Sequence, residues 1–218
     1  GGWAANGRVT AKLADFADIS LSGNTSSIGF GSLDQSVQER NQFQALAYDL
    51  QSSFELGKFF SQESGVRIPL FFNYSEEWKN PMFNPLDPDI EFKDAVENLQ
   101  KEGQRDSLRQ ASQDYVLRKN INFTNVRKER RGTRSKMPMP WNIENFSVSY
   151  AYSETFRRSI NTVFDIKKDH RAGLIYTYQT RPQNVQPFKK VKSKYLTLIR
   201  DFNFYYLPSR FTFRTEFR

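Results

Sequence analysis

Titratable residues that could support catalysis are sparse in this sequence. The chain of 218 residues has one histidine, His170, and no cysteine. Without cysteine there is no thiolate nucleophile, disulfide or thiolate-bound metal. A catalytic triad or a zinc site needs convergent partners, and nothing stands at metal-ligand spacing from His170. We interpret His170, within KKDHRAG, as a solvated turn residue.

Two acidic pairs are the other candidates for acid–base or cation-binding chemistry. Glu76–Glu77 and Asp87–Asp89 stand in stretches that resemble loops. They lack the Asp-x-Asn-x-Asp-Gly pattern of calcium loops, which favours solvated carboxylates. GFGSLDQ has two glycines without the other residues of a phosphate loop, and predicts a turn. The sequence therefore predicts no catalytic, cofactor-binding or metal-binding residue, no cofactor and no enzyme activity.

Basic residues are the clearest chemical signal. Lys and Arg number 32 against 24 Asp and Glu, a net charge of +8, which admits nucleic acid, anionic lipid or acidic polysaccharide as partners. No aromatic RNA-binding signature accompanies the basic clusters, so we expect solvated or headgroup-facing loops and no nucleic acid. The best polyanion or headgroup candidates are Arg127, Lys128, Arg130, Arg131, Arg134 and Lys136, followed by Lys189, Lys190, Lys192 and Lys194.

The elements that position these residues are predicted to be β-strands. NFSVSYAYS, residues 145–153, alternates strictly between two kinds of side chain, which indicates a strand with two different faces. Residues 210–218 alternate in the same way. One parity carries Phe146, Val148, Tyr150, Tyr152, Phe211, Phe213 and Phe217, and the other carries Ser147, Ser149, Ala151, Arg214 and Glu216.

Similar patterns predict about ten strands in all. VTAKL and ISLSG flank a turn at ADFA, and 43–56, 66–74 and 115–126 continue the series. INTVFDI, AGLIYTYQT, YLTLIRDFNFYY and RFTFRTEF follow, with KKDHR and LPS as hairpin connections. No fixed-period repeat is present, which disfavours a solenoid or propeller.

A Pro-rich excursion interrupts the strands. We expect strands and turns in 1–75, an irregular and partly helical loop excursion in 76–114, and strands with basic loops in 115–218. Pro81, Pro85 and Pro88 argue against regular structure. A helix capped by Asp89 is expected after them, with Gly103 interrupting it.

Composition favours a membrane barrel mildly over a soluble sandwich. Hydrophobic residues make up 38% and aromatics 15%, and no run approaches the ~18 apolar residues of a spanning helix. The strand at 43–56 is longer than the ~5–6 residues usual in soluble sheets. Trp3, Trp78 and Trp141 suit an interfacial belt or ordinary packing. Alternation alone does not tell a lipid-facing aromatic face from a core-facing one.

Longer stretches of the chain resemble one protein family. PWNIENFSVSYAYSET, DHRAGLIYTY, RPQNVQPF and DFNFYYLPSRFTFRTEF, with AKLADFADISLSG and GFGSLDQ upstream, are similar to the SprA (Sov) family. These are very large outer-membrane proteins of the type IX secretion and gliding-motility system. The resemblance spans essentially the whole chain.

The resemblance implies an all-β fold of antiparallel strands that form part of the wall of a very large transmembrane β-barrel. It implies a channel in the bacterial outer membrane that translocates folded cargo. The implied partners are the remainder of the barrel, a PorV-like small outer-membrane barrel, a periplasmic plug protein, secreted cargo proteins and outer-membrane lipid. About ten strands cannot enclose such a pore, and the chain begins GGWAANGRV without Met, so we expect a fragment. The aromatic parity would then face lipid or a partner, and the small polar parity the lumen.

Three rival interpretations remain open at this point. A soluble β-domain that binds polysaccharide or another polyanion would dissolve without detergent and bind in a salt-sensitive way. A small self-contained outer-membrane barrel, acting as a porin or transporter, would close by pairing its first and last strands. A hydrolase is the most distant, since no catalytic constellation is present.

Overall fold

The computed structural model describes residues 2–32, 34–36, 39–130, 139–180, 184–189 and 201–218. The strands are β1 (Ala4–Leu13), β2 (Ala17–Ser26), β3 (Phe43–Glu55), β4 (Val66–Arg67), β5 (Pro69–Pro81), β6 (Phe83–Asn84), β7 (Asp87–Glu91), β8 (Asp114–Lys128), β9 (Phe146–Ser159), β10 (Thr162–Gln179), β11 (Asn184–Val185), β12 (Phe204–Tyr205) and β13 (Arg210–Phe217). Two α-helices, α1 (Phe92–Glu97) and α2 (Glu102–Ser112), follow β7, and short 3₁₀ turns occupy Leu56–Phe59, Gln62–Ser64 and Ile143–Asn145.

The long strands form one antiparallel sheet in the order β1-β2-β3-β5-β8-β9-β10-β13, with β4 also paired to β8. Each long strand therefore pairs with the long strand before it in the chain, which short connections favour. The pairs β6–β7 and β11–β12 form two small separate sheets. The predicted all-β, antiparallel class is confirmed. Within the described residues the sheet is open, with β1 and β13 at its edges.

The two faces of this sheet lack the packed core of a soluble sandwich. Among the described residues, the buried hydrophobic side chains are Ala17, Phe92 and Val96, and no side chain is below 2% exposure. Phe92 and Val96 belong to α1 rather than to the sheet. Soluble sheets normally bury one face against a second layer, so both broad faces here are open surfaces.

A bulge in β8 keeps the two faces distinct along the strand. The register between β8 and β9 shifts between Phe123 and Val126. Asn125 has a φ of +55°, a left-handed conformation that asparagine tolerates better than most residues. The extra residue restores Val126 to the face that Phe123 occupies. The sequence pattern did not predict this bulge.

Two boundary predictions were wrong at the excursion. β5 continues to Pro81, so residues 76–81 are strand rather than loop. The helical part comprises two helices: Glu91 rather than Asp89 precedes α1, and Gly103 lies in the first turn of α2. The excursion outside the large sheet is therefore 82–113. No helix in the described part of the chain is long and apolar enough to cross a membrane.

The prediction of a turn at KKDHR was also wrong. Residues 167–171 lie within β10, and the hairpin joining β9 to β10 turns at 160–161. INTVFDI and AGLIYTYQT are thus one strand of 18 residues. His170 is consequently a strand residue. Its Nδ1 lies 2.9 Å from the Tyr150 hydroxyl, and its ring centroid lies 4.9 Å from that of Tyr152.

The turn predicted at ADFA is present between β1 and β2, where the Phe16 N–H donates to the Leu13 carbonyl at 3.0 Å. LPS does not form a tight hairpin, because β12 pairs with β11 whereas β13 pairs with β10. Part of YLTLIRDFNFYY, residues 195–200, lies outside the described residues.

Candidate functional site: two opposite faces of one sheet

Strand register assigns the predicted aromatic residues to a single face. Phe146 pairs directly with Tyr176, which pairs with Phe213 on its other side. Directly paired residues point to the same side of a sheet. This surface is called the aromatic face below. It carries Phe146, Val148, Tyr150 and Tyr152 of β9 and Phe211, Phe213 and Phe217 of β13.

The small and polar residues occupy the opposite surface, called the polar face below. Ser147 pairs with Ile175, which pairs with Arg214. Ser149 pairs with Gly173, which pairs with Glu216. The face thus carries Ser147, Ser149 and Ala151 of β9 together with Arg214 and Glu216 of β13. The structure therefore brings each predicted set together, on opposite sides of the sheet.

An aromatic ladder crosses four adjacent strands of the aromatic face. The ring centroids of Tyr48 and Trp78 are 5.5 Å apart, those of Trp78 and Tyr115 are 5.6 Å apart, and those of Tyr115 and Phe156 are 5.8 Å apart. The Arg158 guanidinium lies 5.4 Å from the Tyr115 ring centroid. Tilted ring pairs at these distances are attractive. Trp78 is the centre of this ladder and packs against Tyr48 on one side and Tyr115 on the other.

Charged residues also lie on the aromatic face, which the sequence interpretation missed. The Tyr74 hydroxyl donates to the Glu76 carboxylate beside the aromatic ladder, where Glu76 is paired with Tyr48. On β9, the Tyr152 hydroxyl donates to Glu154 Oε2 at 2.5 Å. Glu154 is paired with Lys119 of β8 on one side and with Lys168 of β10 on the other. The parity of Glu76 with Tyr74 was a signal in the sequence that could have indicated this.

The prediction that Glu76 and Glu77 form a solvated loop pair was wrong. Both residues lie in β5 and point to opposite faces of the sheet. On the polar face, Glu77 is 3.1 Å from Lys79 and 3.9 Å from Arg118. Asp87 and Asp89 lie in β7, which pairs with β6. Among the described residues, no group of three or more His, Cys, Asp or Glu side chains is placed to hold a metal ion.

Polar side chains of neighbouring strands are linked across the polar face. The Asn120 amide donates to Asn73 Oδ1 at 3.1 Å, and the Asn73 amide donates to Asp49 Oδ2 at 2.7 Å. Shallow depressions interrupt this surface where side chains are small. One is lined in part by Arg8, Asp49, Ser75 and Arg118, and another by Ser149, Arg171, Gly173 and Arg214. Both depressions are open to solvent and are lined in part by polar and charged side chains.

The basic run after β8 makes ion pairs within the chain. Arg127 and Arg67 lie 2.7 and 2.8 Å from the carboxylate of Glu129, and Arg130 lies 2.7 Å from that of Glu144. The hydrogen bond from Arg127, assisted by Arg67, holds the pKa of Glu129 below its usual value. Lys128 is exposed at the end of β8. Arg131, Arg134, Lys136, Lys190, Lys192 and Lys194 lie outside the described residues.

Comparison with known proteins agrees with the resemblance noted in the sequence. Residues 1–96 match the SprA_N family model, which is described as a motility related/secretion protein. These residues belong to the SprA family. The match covers β1 to β7 and most of α1, so it includes the first half of the large sheet. The match confirms the predicted family over residues 1–96, and this family is described as related to motility and secretion. A search of the curated proteins finds no match.

Proposed function

We propose that this SprA-family chain is a segment of the wall of a very large transmembrane β-barrel in the bacterial outer membrane. In this proposal the barrel is the protein-conducting channel of type IX secretion, which also serves gliding motility, and its lumen passes folded cargo. The observation that carries the proposal is the single open sheet with one aromatic and one polar face. A lipid-facing surface must be apolar, whereas a water-filled lumen is polar.

The same sheet argues against a soluble β-domain. A soluble domain buries its aromatic face in a core, but Phe211, Phe213 and Phe217 are 49%, 62% and 64% exposed. Lipid would cover these rings in a barrel wall. The polar face, with its Ser, Asn and Gly residues, suits a passage through which cargo must move without adhering. A small self-contained barrel is disfavoured, because β1 and β13 lie at opposite edges of the described sheet.

The proposed channel requires further barrel strands and implies partner proteins. The remaining barrel strands would pair with the edges at β1 and β13, since exposed strand edges are completed by further strands. A PorV-like small barrel would cover part of the outer wall, and a periplasmic plug protein would close one end of the lumen. The excursion 82–113, with α1 and α2, would be a cap or docking element. Deleting it without loss of secretion or partner binding would refute that role.

Photo-crosslinking during secretion tests the channel. A photoreactive amino acid is placed at Ser149, on the polar face, or at Val148, its neighbour on the aromatic face, in the intact protein. Cells then secrete an epitope-tagged type IX cargo protein. We expect a crosslink between the tagged cargo and the Ser149 position, and none at the Val148 position. Equal crosslinking at both positions, or at neither, would contradict a cargo passage along the polar face.

A further inference from the structure

On the aromatic face, one row of directly paired residues is apolar on some strands and charged on others. The row runs perpendicular to the strands, as antiparallel pairing requires. Its members on β1, β2 and β3 are apolar, whereas its members on β8, β9 and β10 are charged. In strand order the row contains Val9, Leu21, Leu50, Tyr74, Lys119, Glu154 and Lys168.

Most apolar residues on the aromatic face of β9 and β13 lie further towards the opposite end of the sheet, although Phe156 and Ile166 lie on the hairpin side of the charged row. On β10, Leu174 and Tyr176 occupy the aromatic face beyond His170. On β13 the apolar stretch runs from Phe211 to Phe217. The apolar band therefore crosses the sheet obliquely and does not follow the rows of paired residues.

The slope of this band can be measured from the register. On β3 the band runs from Leu46 to Phe54, centred on Leu50, whose row reaches β10 at Lys168. On β13 the centre is Arg214, which pairs with Ile175 of β10. The displacement from residue 168 to 175 is about seven residues over five strand-to-strand steps, or roughly 4.6 Å along the strand for each ~4.8 Å between strands. The slope is therefore about 45°, close to the ~35–45° tilt of strands in outer-membrane barrels.

We infer that the bilayer crosses this sheet along the oblique band, so that β9 and β10 leave its apolar layer near Tyr152 and His170. This inference rests on the proposed barrel wall. Lys119, Glu154 and Lys168 then lie at the lipid–water boundary, where charges do not have to enter the apolar layer. Long lysine side chains reach headgroups readily from such a position. Tyr150 and Tyr152 lie beside this boundary, where tyrosine is favoured.

The β9–β10 hairpin then projects into water. From Glu154 to Ser159 it extends about 17 Å, at ~3.3 Å for each residue. The excursion after β5 lies at the same end of the sheet, and α2 contacts β9 there. Arg158, near the hairpin tip, covers the Tyr115 ring. The hydrophilic helix α2, in contact with this end of β9, agrees with its position outside the bilayer.

Depth measurements on single cysteines test the oblique path. Leu50→Cys and Lys168→Cys place probes in one row of paired residues, and Leu174→Cys and Ile166→Cys place them on one strand. Each is made in a cysteine-free version of the intact protein in outer-membrane lipid. An environment-sensitive fluorophore is attached, and its quenching by nitroxide-labelled lipid is compared with quenching by aqueous iodide. Ser149→Cys, on the polar face, is the control for a probe in the lumen.

We expect the Leu50 and Leu174 probes to show blue-shifted emission quenched by lipid, and the Lys168 and Ile166 probes to be quenched by iodide. If the Leu50 and Lys168 probes lie at equal depth in lipid, or in the reverse order, the oblique path is wrong although the barrel wall stands. If no probe on the aromatic face contacts lipid, the proposed barrel wall fails and the inference fails with it.

Discussion

The Ser149 hydroxyl accepts a hydrogen bond from the backbone N–H of Asn125 at 2.9 Å. This contact joins the polar face of β9 to the bulge of β8, where the strand gains a residue. Without the bulge, Val126 would exchange faces with Arg127, and an arginine would enter the aromatic face. The two-faced character of the sheet therefore depends on a local contact as well as on alternation.

Substitutions at Asn125 should reveal the cost of its left-handed backbone. Asn125→Gly should be tolerated, whereas Asn125→Val should weaken the bulge by roughly 1–2 kcal/mol, because a β-branched residue disfavours a positive φ. Hydrogen exchange of β8 amides in the intact protein measures this local opening. Equal protection in the two variants would show that the φ of +55° is not a constraint.

Ser149→Ala should also increase hydrogen exchange of the Asn125 amide, because it removes the hydroxyl that accepts from this amide. Ser147→Ala provides the matched control.

Gly57 should not accept a side chain. A Cβ there would lie 2.4 Å from the Val66 carbonyl oxygen and 3.0 Å from the Arg67 Cα. Gly57→Ala should therefore displace the loop 56–68 and increase its hydrogen exchange.

Gly103→Ala is the matched control for Gly57. Nothing lies within 4 Å of a Cβ at Gly103, which is in α2. The control should stabilise the helix by about 0.5–1 kcal/mol, because alanine loses less backbone entropy. Unchanged exchange of loop 56–68 in Gly57→Ala would contradict the close approach of the two backbone segments.

The loop around Glu129 should loosen in acid. Its carboxylate binds Arg127 and Arg67, so its folded pKa lies below the unfolded value. The resulting stabilisation is present above the unfolded pKa and is lost as pH falls through the lower folded pKa. Hydrogen exchange of Arg67 and its neighbours should rise over that interval.

Glu129→Gln should remove this acid dependence. Glu63→Gln, which removes a loop carboxylate outside the ion-pair cluster, should leave it intact. An unchanged acid profile in Glu129→Gln would assign the loosening to other groups.

Trp78 should contribute more to stability than Trp141. Trp78→Ala removes the ring contacts to Tyr48 and Tyr115, at about 0.5–1.5 kcal/mol for each pair, whereas Trp78→Phe should retain much of them. Trp141 is 75% exposed, so Trp141→Ala should change little. The midpoint of urea unfolding in detergent measures these effects. Equal losses in Trp78→Ala and Trp141→Ala would show that the aromatic ladder adds no stability.

The sequence predicted the faces better than the lengths of the strands. NFSVSYAYS predicts two faces because small or polar residues alternate there with larger apolar ones, and the pairing of β9 with β10 places the two sets on opposite sides of the sheet. The sequence predicts a turn at KKDHR because consecutive charged residues resemble one, whereas in the structure β10 pairs with β9 throughout this stretch. For the same reason the sequence predicts that β5 ends before Glu76, whereas the strand continues to Pro81. The bulge at Asn125 depends on long-range register, which local propensity does not encode.

A sequence pattern also does not predict whether lipid or protein covers each face of the sheet. A strand with alternating polarity looks the same whether its aromatic side meets lipid or protein. The charged row from Lys119 to Lys168 became visible only when the register placed three separate strands side by side. The pairing of residues between strands, and not their spacing along the sequence, shows that these charged residues are neighbours.

Maleimide labelling of β9 tests the barrel wall most directly. Single cysteines are placed at Phe146, Ser147, Val148, Ser149, Tyr150 and Ala151 in the cysteine-free intact protein, in native outer membranes. Each is treated with a water-soluble maleimide and, separately, with one that partitions into the bilayer. We predict that positions 147, 149 and 151 react from water and that 146, 148 and 150 react only from lipid. If the lipid-soluble reagent prefers none of these positions, the aromatic face is covered by protein and the barrel-wall account is contradicted.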